Sequence, residues 1–172
     1  MPGRSAEGRI GEPYASLLAR LLEEAKKRLG DNLVSLVVYG SVARGEARAD
    51  SDVDLLIVAR ELPRSRLRRQ ELFMEIEDAL RPELEELEKR GFHVDFSPIL
   101  KTVEEASRLS PLYLDMVEDA VILHDEGGFF EGVLDRLRRR LRELGAERVR
   151  VGKRWYWRLK RDYRFGEVIE IE

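Results

Sequence analysis

The 172-residue chain contains no cysteine, which excludes disulfides and thiolate metal sites and points any metal site toward oxygen ligands. No apolar run is long enough to cross a membrane, and the start of the chain lacks the apolar core of a signal peptide, so the expected location is the cytoplasm. Asn32 and Gln70 are the only residues of their kinds, arginine far outnumbers lysine, and 38% of the residues are charged; this composition points to a thermophilic source. Internal repeats and low-complexity tracts are absent as well. With 43% hydrophobic residues and enough length for a real core, the chain is expected to form one compact domain plus an appendage.

The most informative stretch is Tyr39-Gly40-Ser41-Val42-Ala43-Arg44-Gly45-Glu46, followed by Asp52-Val53-Asp54 and the apolar run Leu55 to Val58. Leu33 to Tyr39 is short, apolar and partly β-branched, and reads as a buried strand that delivers the chain into a turn at Gly40. Glycine there lets backbone approach a ligand that a side chain would strike. The Ser41 hydroxyl can donate to a phosphate oxygen, and a short helix beginning at Val42 to Arg44 and ended by Gly45 would turn its free N–H groups toward the same anion. In an extended Asp-Val-Asp segment the carboxylates of Asp52 and Asp54 share one face while Val53 enters the core. Two carboxylates so placed repel unless a divalent cation neutralises them, and oxygen ligands beside a phosphate favour magnesium or manganese. Phe92 to Ile99 alternates, with Phe92, Val94 and Phe96 on one face and His93, Asp95 and Ser97 on the other, which makes Asp95 the candidate third carboxylate. His93 is given no role. A strand end at Gly40, a helix cap at Ser41 and a polar turn at Asp50-Ser51-Asp52 explain each residue separately but not their joint spacing.

Gly-Ser, ten intervening residues, Asp-x-Asp and a later lone Asp resemble the DNA polymerase β-like nucleotidyltransferase superfamily, and within it the minimal nucleotidyltransferases of prokaryotes. The resemblance spans residues 33 to 99. It implies that Gly40 and Ser41 contact a nucleoside triphosphate, with ATP the expected nucleotide. It also implies that Asp52 and Asp54 bind two magnesium ions, with manganese an alternative, and that Asp95 completes one metal site and helps deprotonate an acceptor hydroxyl. Arg44 and Arg48 would add positive charge near the phosphates. The implied reaction transfers a nucleoside monophosphate with loss of pyrophosphate.

The remaining pattern predicts an α/β fold of the α+β kind, a mixed sheet flanked by helices. After a glycine-containing, poorly ordered start, Tyr14 to Leu29 is an amphipathic helix closed by Gly30. Arg66 to Glu88 is read as one helix bent at Pro82. Thr102 to Leu109 and Pro111 to Val117 are short helices, Ala120 to His124 a strand, and Phe129 to Leu144 a helix. Val149 to Lys160 is a two-stranded ribbon turning near Gly152, and Val168 to Ile171 an edge strand or a segment docked on another chain. The expected division is a nucleotidyltransferase core over residues 1–125 and a basic helical and ribbon extension over residues 126–172. Residues 136–164 hold thirteen Lys or Arg against three Asp or Glu, in a chain whose net charge is −3. Trp155, Tyr156 and Trp157 within this stretch are read first as a small hydrophobic interface, and alternatively as a stacking surface for nucleic acid.

Three functional readings follow. The leading one is a transferase acting on a partner protein, and the resemblance implies the antitoxin half of a two-gene module with a helical HEPN-type partner. The second is transfer to a small hydroxylated compound, as in antibiotic-modifying relatives. The third is a non-enzymatic module that binds a partner or nucleic acid. Self-association through the aromatic ribbon is a further expectation.

Overall fold

The computed structural model describes residues 9–172, and the first part of the start expected to be poorly ordered lies outside the described residues. Strands β1 (Leu33–Tyr39), β2 (Val53–Ala59), β3 (Phe96–Thr102) and β4 (Val121–Asp125) form one sheet in the order β3-β2-β1-β4. β1 is antiparallel to both its neighbours and β2 is parallel to β3, so the sheet is mixed as the sequence predicts. The helices are α1 (Tyr14–Leu29), α2 (Gly40–Ala43), α3 (Arg66–Asp78), α4 (Arg81–Lys89), α5 (Val103–Ser107) and α6 (Phe129–Leu144). A separate ribbon pairs β5 (Glu147–Val151) with β6 (Arg154–Arg158).

The sheet is covered on both faces, and this explains why every residue of β1 is buried instead of every second one. On one face Leu36, Val38, Leu55 and Ile57 meet Leu18, Leu21 and Ala25 of α1 and Phe73 and Ile76 of α3. On the other, Val34, Val37, Leu56 and Val58 meet Tyr113, Met116 and the Phe130, Leu134 and Leu137 side of α6. Phe73 is 2% exposed and stacks edge-on with Phe96 at 5.7 Å. Phe73→Ala is expected to cost about 3–5 kcal/mol, the usual range for emptying a buried aromatic site; denaturant unfolding monitored by circular dichroism measures it.

Three departures from the sequence reading have local causes. The stretch from Arg66 is two helices, because α3 ends at Asp78 and Pro82, which has no N–H to donate, sits in the first turn of α4. β3 begins at Phe96 instead of Phe92. The preceding residues are tied to the turn before β2, with His93 N–H donating to Ala49 O (2.8 Å) and Val53 N–H to Asp95 O (2.8 Å). Pro98 is tolerated because β3 is an edge strand. Residues 168–171 form no strand; the Arg140 guanidinium donates to the Glu170 carbonyl and holds the tail on α6.

Side chains fasten the layers at three points. Ser35, buried in β1, donates to Asp125 Oδ1 at 2.7 Å, and the Asp125 carboxylate accepts from the Phe130 and Glu131 N–H groups that open α6. Arg138 of α6 donates to the Val117 carbonyl (3.1 Å) and Tyr113 OH to Ala106 O (2.9 Å), which fixes the segment 111–117 against the sheet. Arg69 of α3 reaches the Pro63 and Leu100 carbonyls and pairs with Glu105. The Arg69 bond, ahead of a backbone bond from Thr102, holds the Glu105 carboxyl down to about 2. A carboxyl depressed in the folded state stabilises above its ordinary value and loses that contribution as pH falls toward the folded one. Glu105→Gln is therefore expected to flatten the acid limb of the stability profile between its ordinary carboxylate range and about pH 2; thermal melts across that range check it.

Candidate active site

β1 and β2 bring the site together. Their antiparallel register sets Tyr39 opposite Asp54, so the turn after β1 and the acidic start of β2 lie side by side. Gly40 takes φ +74°, and a Cβ built there would sit 2.2 Å from Asp54 Oδ2. The position thus excludes a side chain twice over, by backbone conformation and by contact with the carboxylate. The chain then makes the single turn of α2, closed by Arg44 N–H to Gly40 O at 3.2 Å and Gly45 N–H to Val42 O at 3.1 Å. Ser41 is half-buried on this turn, and among the described residues its hydroxyl has no hydrogen-bond partner. The turn from Arg48 to Ser51 is closed on itself, with Arg48 N–H donating to Ser51 Oγ at 2.7 Å, and Tyr14 OH donates to the Arg48 carbonyl.

Asp52 is exposed and Asp54 half-buried. Burial first, then the neighbouring Asp52, pushes the Asp54 carboxyl up; Arg44 pulls it down and Asp115 adds a further push upward. Tyr39 is raised to about 12, by burial and by Asp54 and Asp115, so its phenol stays neutral at the edge of the site. Arg44 is oriented by an ion pair with Glu46 (3.0 Å). Asp95 lies beside Asp52 in the parallel register that sets Phe96 opposite Val53, with an exposed side chain. Its charge is felt at Glu77 of α3, whose carboxyl is raised first by burial and then by Asp95. Among the described residues no three Asp, Glu, His or Cys side chains are drawn together as a metal-binding group. The structure therefore gathers Gly40, Ser41, Arg44, Asp52 and Asp54, and leaves Asp95 one strand away and facing solvent. Arg48 is exposed on the turn, and among the described residues its side chain makes no hydrogen bond or ion pair with Asp52 or Asp54.

Asp115 and Tyr39 were not singled out by sequence reasoning. Tyr39 was accessible to it, being the last residue of a buried strand directly before the turn glycine. Asp115 was not, since a short turn some sixty residues downstream carries no spacing signal toward Asp54.

The donor set fits a hard divalent cation: two adjacent carboxylates, no soft ligand, and an Asp54 whose charge is costly because of burial and a like-charged neighbour. The one-turn α2 sets a glycine against one of these carboxylates, so a backbone turn and an acidic pair meet at one point. Comparison with known proteins agrees: residues 18–124 match the nucleotidyltransferase domain family, and the chain belongs to that family. It is accordingly a nucleotidyl transferase, consistent with the minimal nucleotidyltransferase group that the motif resembles. A Methanocaldococcus jannaschii protein named "Putative protein adenylyltransferase MJ1305" is 30% identical over 142 residues, covering 81% of this chain and 91% of the relative. Similar solved structures include a toxin-antitoxin with AMP-PNP (17% identity, TM-score 0.47, 74% of this chain and 91% of that one). Another is the toxin-antitoxin MntA-HepT (14% identity, TM-score 0.45, 76% and 92%). Among the described residues no helix is long and apolar enough to cross a membrane.

Proposed function

We propose that the protein transfers the nucleoside monophosphate of ATP, with a divalent metal held by Asp52 and Asp54, to a hydroxyl on a partner protein. The observation that carries this reading is the contact geometry at Gly40, which seats the Asp54 carboxylate directly against the turn and leaves no room there for a side chain. A protein acceptor is supported by the name of the M. jannaschii relative. The antitoxin role and a HEPN-type partner rest on the motif resemblance described above. A cytoplasmic setting is proposed with them.

The triphosphate lies on the Gly40–Ser41 turn, with Ser41 Oγ donating to a phosphate oxygen and Arg44 offsetting its charge. A metal held there would neutralise charge at the phosphates and polarise the P–O bonds that form and break. Asp52 and Asp54 fix where that charge sits. The acceptor oxygen attacks the α-phosphorus, the bond to the bridging oxygen of pyrophosphate breaks, and the hydroxyl proton passes to a carboxylate. We assign that last role to Asp95, which directly precedes β3 as Asp52 directly precedes β2, where Val53 pairs with Phe96. Catalysis is then mainly positioning of charged groups.

The test incubates the purified protein with magnesium, each α-labelled nucleoside triphosphate in turn and a lysate of its source cells. A labelled protein band with ATP, lost in Asp52→Asn, is the expected result. Label only on small molecules would favour a hydroxylated small acceptor, and no label at all, with nucleotide binding intact, would favour a binding-only role.

A further inference from the structure

β3 is an edge strand, and side chains of α3 and α5 close its free side to a further strand. Val53 N–H donates to Asp95 O, so in the parallel ladder Ser97, Ile99 and Lys101 turn their backbone groups toward β2, while Pro98, Leu100 and Thr102 turn theirs outward. Gln70 donates to the Pro98 carbonyl (3.4 Å) and Arg69 to the Leu100 carbonyl (3.1 Å). The Thr102 N–H donates to Glu105 Oε2 (2.9 Å), and Pro98 has no N–H to offer. Of the outward N–H groups, only that of Leu100 has no acceptor among the described residues.

A cavity of about 440 Å3 opens over this edge, and its walls include Arg64, Arg66, Arg69, Leu100, Lys101 and Glu105. The one carboxylate among them is fully engaged. Glu105 Oε2 accepts from Arg69 (2.7 Å) as well as from Thr102 N–H, and Oε1 accepts from Arg69 at 3.0 Å. Arg64, Arg66 and Lys101 form no ion pair among the described residues. Lys101 is half-buried with its ammonium 5.1 Å from the Tyr113 ring centroid; burial pushes it down and Glu105 lifts it. Apart from Gln70 Oε1, the side-chain and strand groups left free at this edge are therefore donors, and three of them are charged.

We infer that this cavity binds a small oxyanion with adjacent phosphate groups, held by the Leu100 N–H, Lys101, Arg64 and Arg66. Donors without acceptors are matched by a ligand that only accepts, and three uncompensated cations by one that is multiply charged. Guanidinium groups suit phosphate oxygens in particular. A polypeptide strand does not fit, since the closed edge offers it one N–H and no free carbonyl at Pro98 or Leu100. Single-stranded nucleic acid finds no stacking platform, because no aromatic ring lines the cavity. The site is separate from the nucleotide turn. Gly40 and Ser41 follow β1, two strands inward, and Leu100 stands about 10 Å along β3 from Ser97, the residue in register with Asp54. The inference does not depend on the transfer reading.

The probe is inorganic pyrophosphate, titrated calorimetrically into the full chain at low salt with EDTA, so that no metal draws it to the Asp52 and Asp54 carboxylates. Saturable binding at a single site is expected, weakened at least tenfold in Lys101→Met and in Arg64→Gln/Arg66→Gln and unchanged in Ser41→Ala. Arg64 and Arg66 are exposed, so their double variant tests the site even where Lys101→Met, beside Tyr113, fails to fold. ADP as a competitor separates two sources of the same chemistry: displacement of pyrophosphate assigns the site to the phosphates of a nucleotide, and no displacement assigns it to the free anion. No saturable binding, equal affinity in the wild type and both cavity variants, or loss of binding in Ser41→Ala alone would overturn the assignment.

Discussion

Asp54→Asn is expected to lower nucleotidyl transfer by about a thousandfold, because metal-borne charge stabilisation is worth several kcal/mol and roughly 1.4 kcal/mol is a factor of ten in rate. The fold should survive, and in the absence of divalent cation the variant should melt at a higher temperature than the wild type at neutral pH. The sign follows from the raised carboxyl. Burial and Asp52 lift Asp54 above its ordinary value. A carboxyl raised in the folded state favours folding only below its ordinary value, and that contribution is lost as pH rises through the raised one. At neutral pH the charged side chain thus works against folding, asparagine removes the penalty, and the difference closes in acid. Added magnesium should stabilise the wild type and leave the variant unchanged, since only a ligand of the native state raises its melting temperature. Transfer at the wild-type rate in Asp54→Asn would remove this carboxylate from the mechanism.

Gly40→Ala should be nearly as damaging to activity, for a different reason. Alanine at φ +74° carries the left-handed cost of about 1–2 kcal/mol, and its methyl group would in addition displace the Asp54 carboxylate from 2.2 Å. Gly145→Ala separates the two effects, since Gly145 is left-handed at φ +68° with nothing within 4 Å of the added carbon. Gly145→Ala should lose stability of that same order and keep its activity; Gly40→Ala should lose more stability and nearly all transfer. Melting curves and label transfer measured on both proteins test the pair. Equal behaviour of the two would mean that contact with Asp54 plays no part.

The sites of these two variants were legible in the sequence because they belong to short, contiguous patterns. Leu33 to Tyr39 ends in glycine, and Asp52-Val53-Asp54 runs into an apolar strand, so local alternation alone assigns faces. α6 and α1 were legible at their full extents for the same reason, a strong helical period closed by glycine. What the sequence concealed depends on tertiary packing. The arginines between Arg136 and Arg142 hide how fully Leu134, Leu137 and Leu141 enter the second core layer. The burial of Tyr113 in the 111–115 turn goes with an edge-on contact with Phe130 at 5.2 Å that no spacing encodes. The late start of β3 reflects bonding of the preceding residues to the turn before β2, a contact between segments more than forty residues apart. It leaves Asp95 outside the strand whose alternation had singled it out.

The basic segment illustrates the same division. Its charge excess was plain, but the partition of that charge was not: Arg138 and Arg140 are engaged with core and tail carbonyls and Arg148 with Asp119, while the ribbon tip keeps its charge exposed. Composition identified a surface of interest, and the register of β5 with β6 determined which side chains share a face.

The measurement that bears most directly on the central claim is a crystal structure of the protein soaked with manganese and a non-hydrolysable ATP analogue, read by anomalous scattering. The account predicts manganese peaks at the Asp52 and Asp54 carboxylates and the triphosphate laid on the Gly40–Ser41 turn, with Asp95 turned toward the same metals. Nucleotide bound elsewhere, or manganese absent from the Asp52–Asp54 pair at saturating nucleotide, would contradict it.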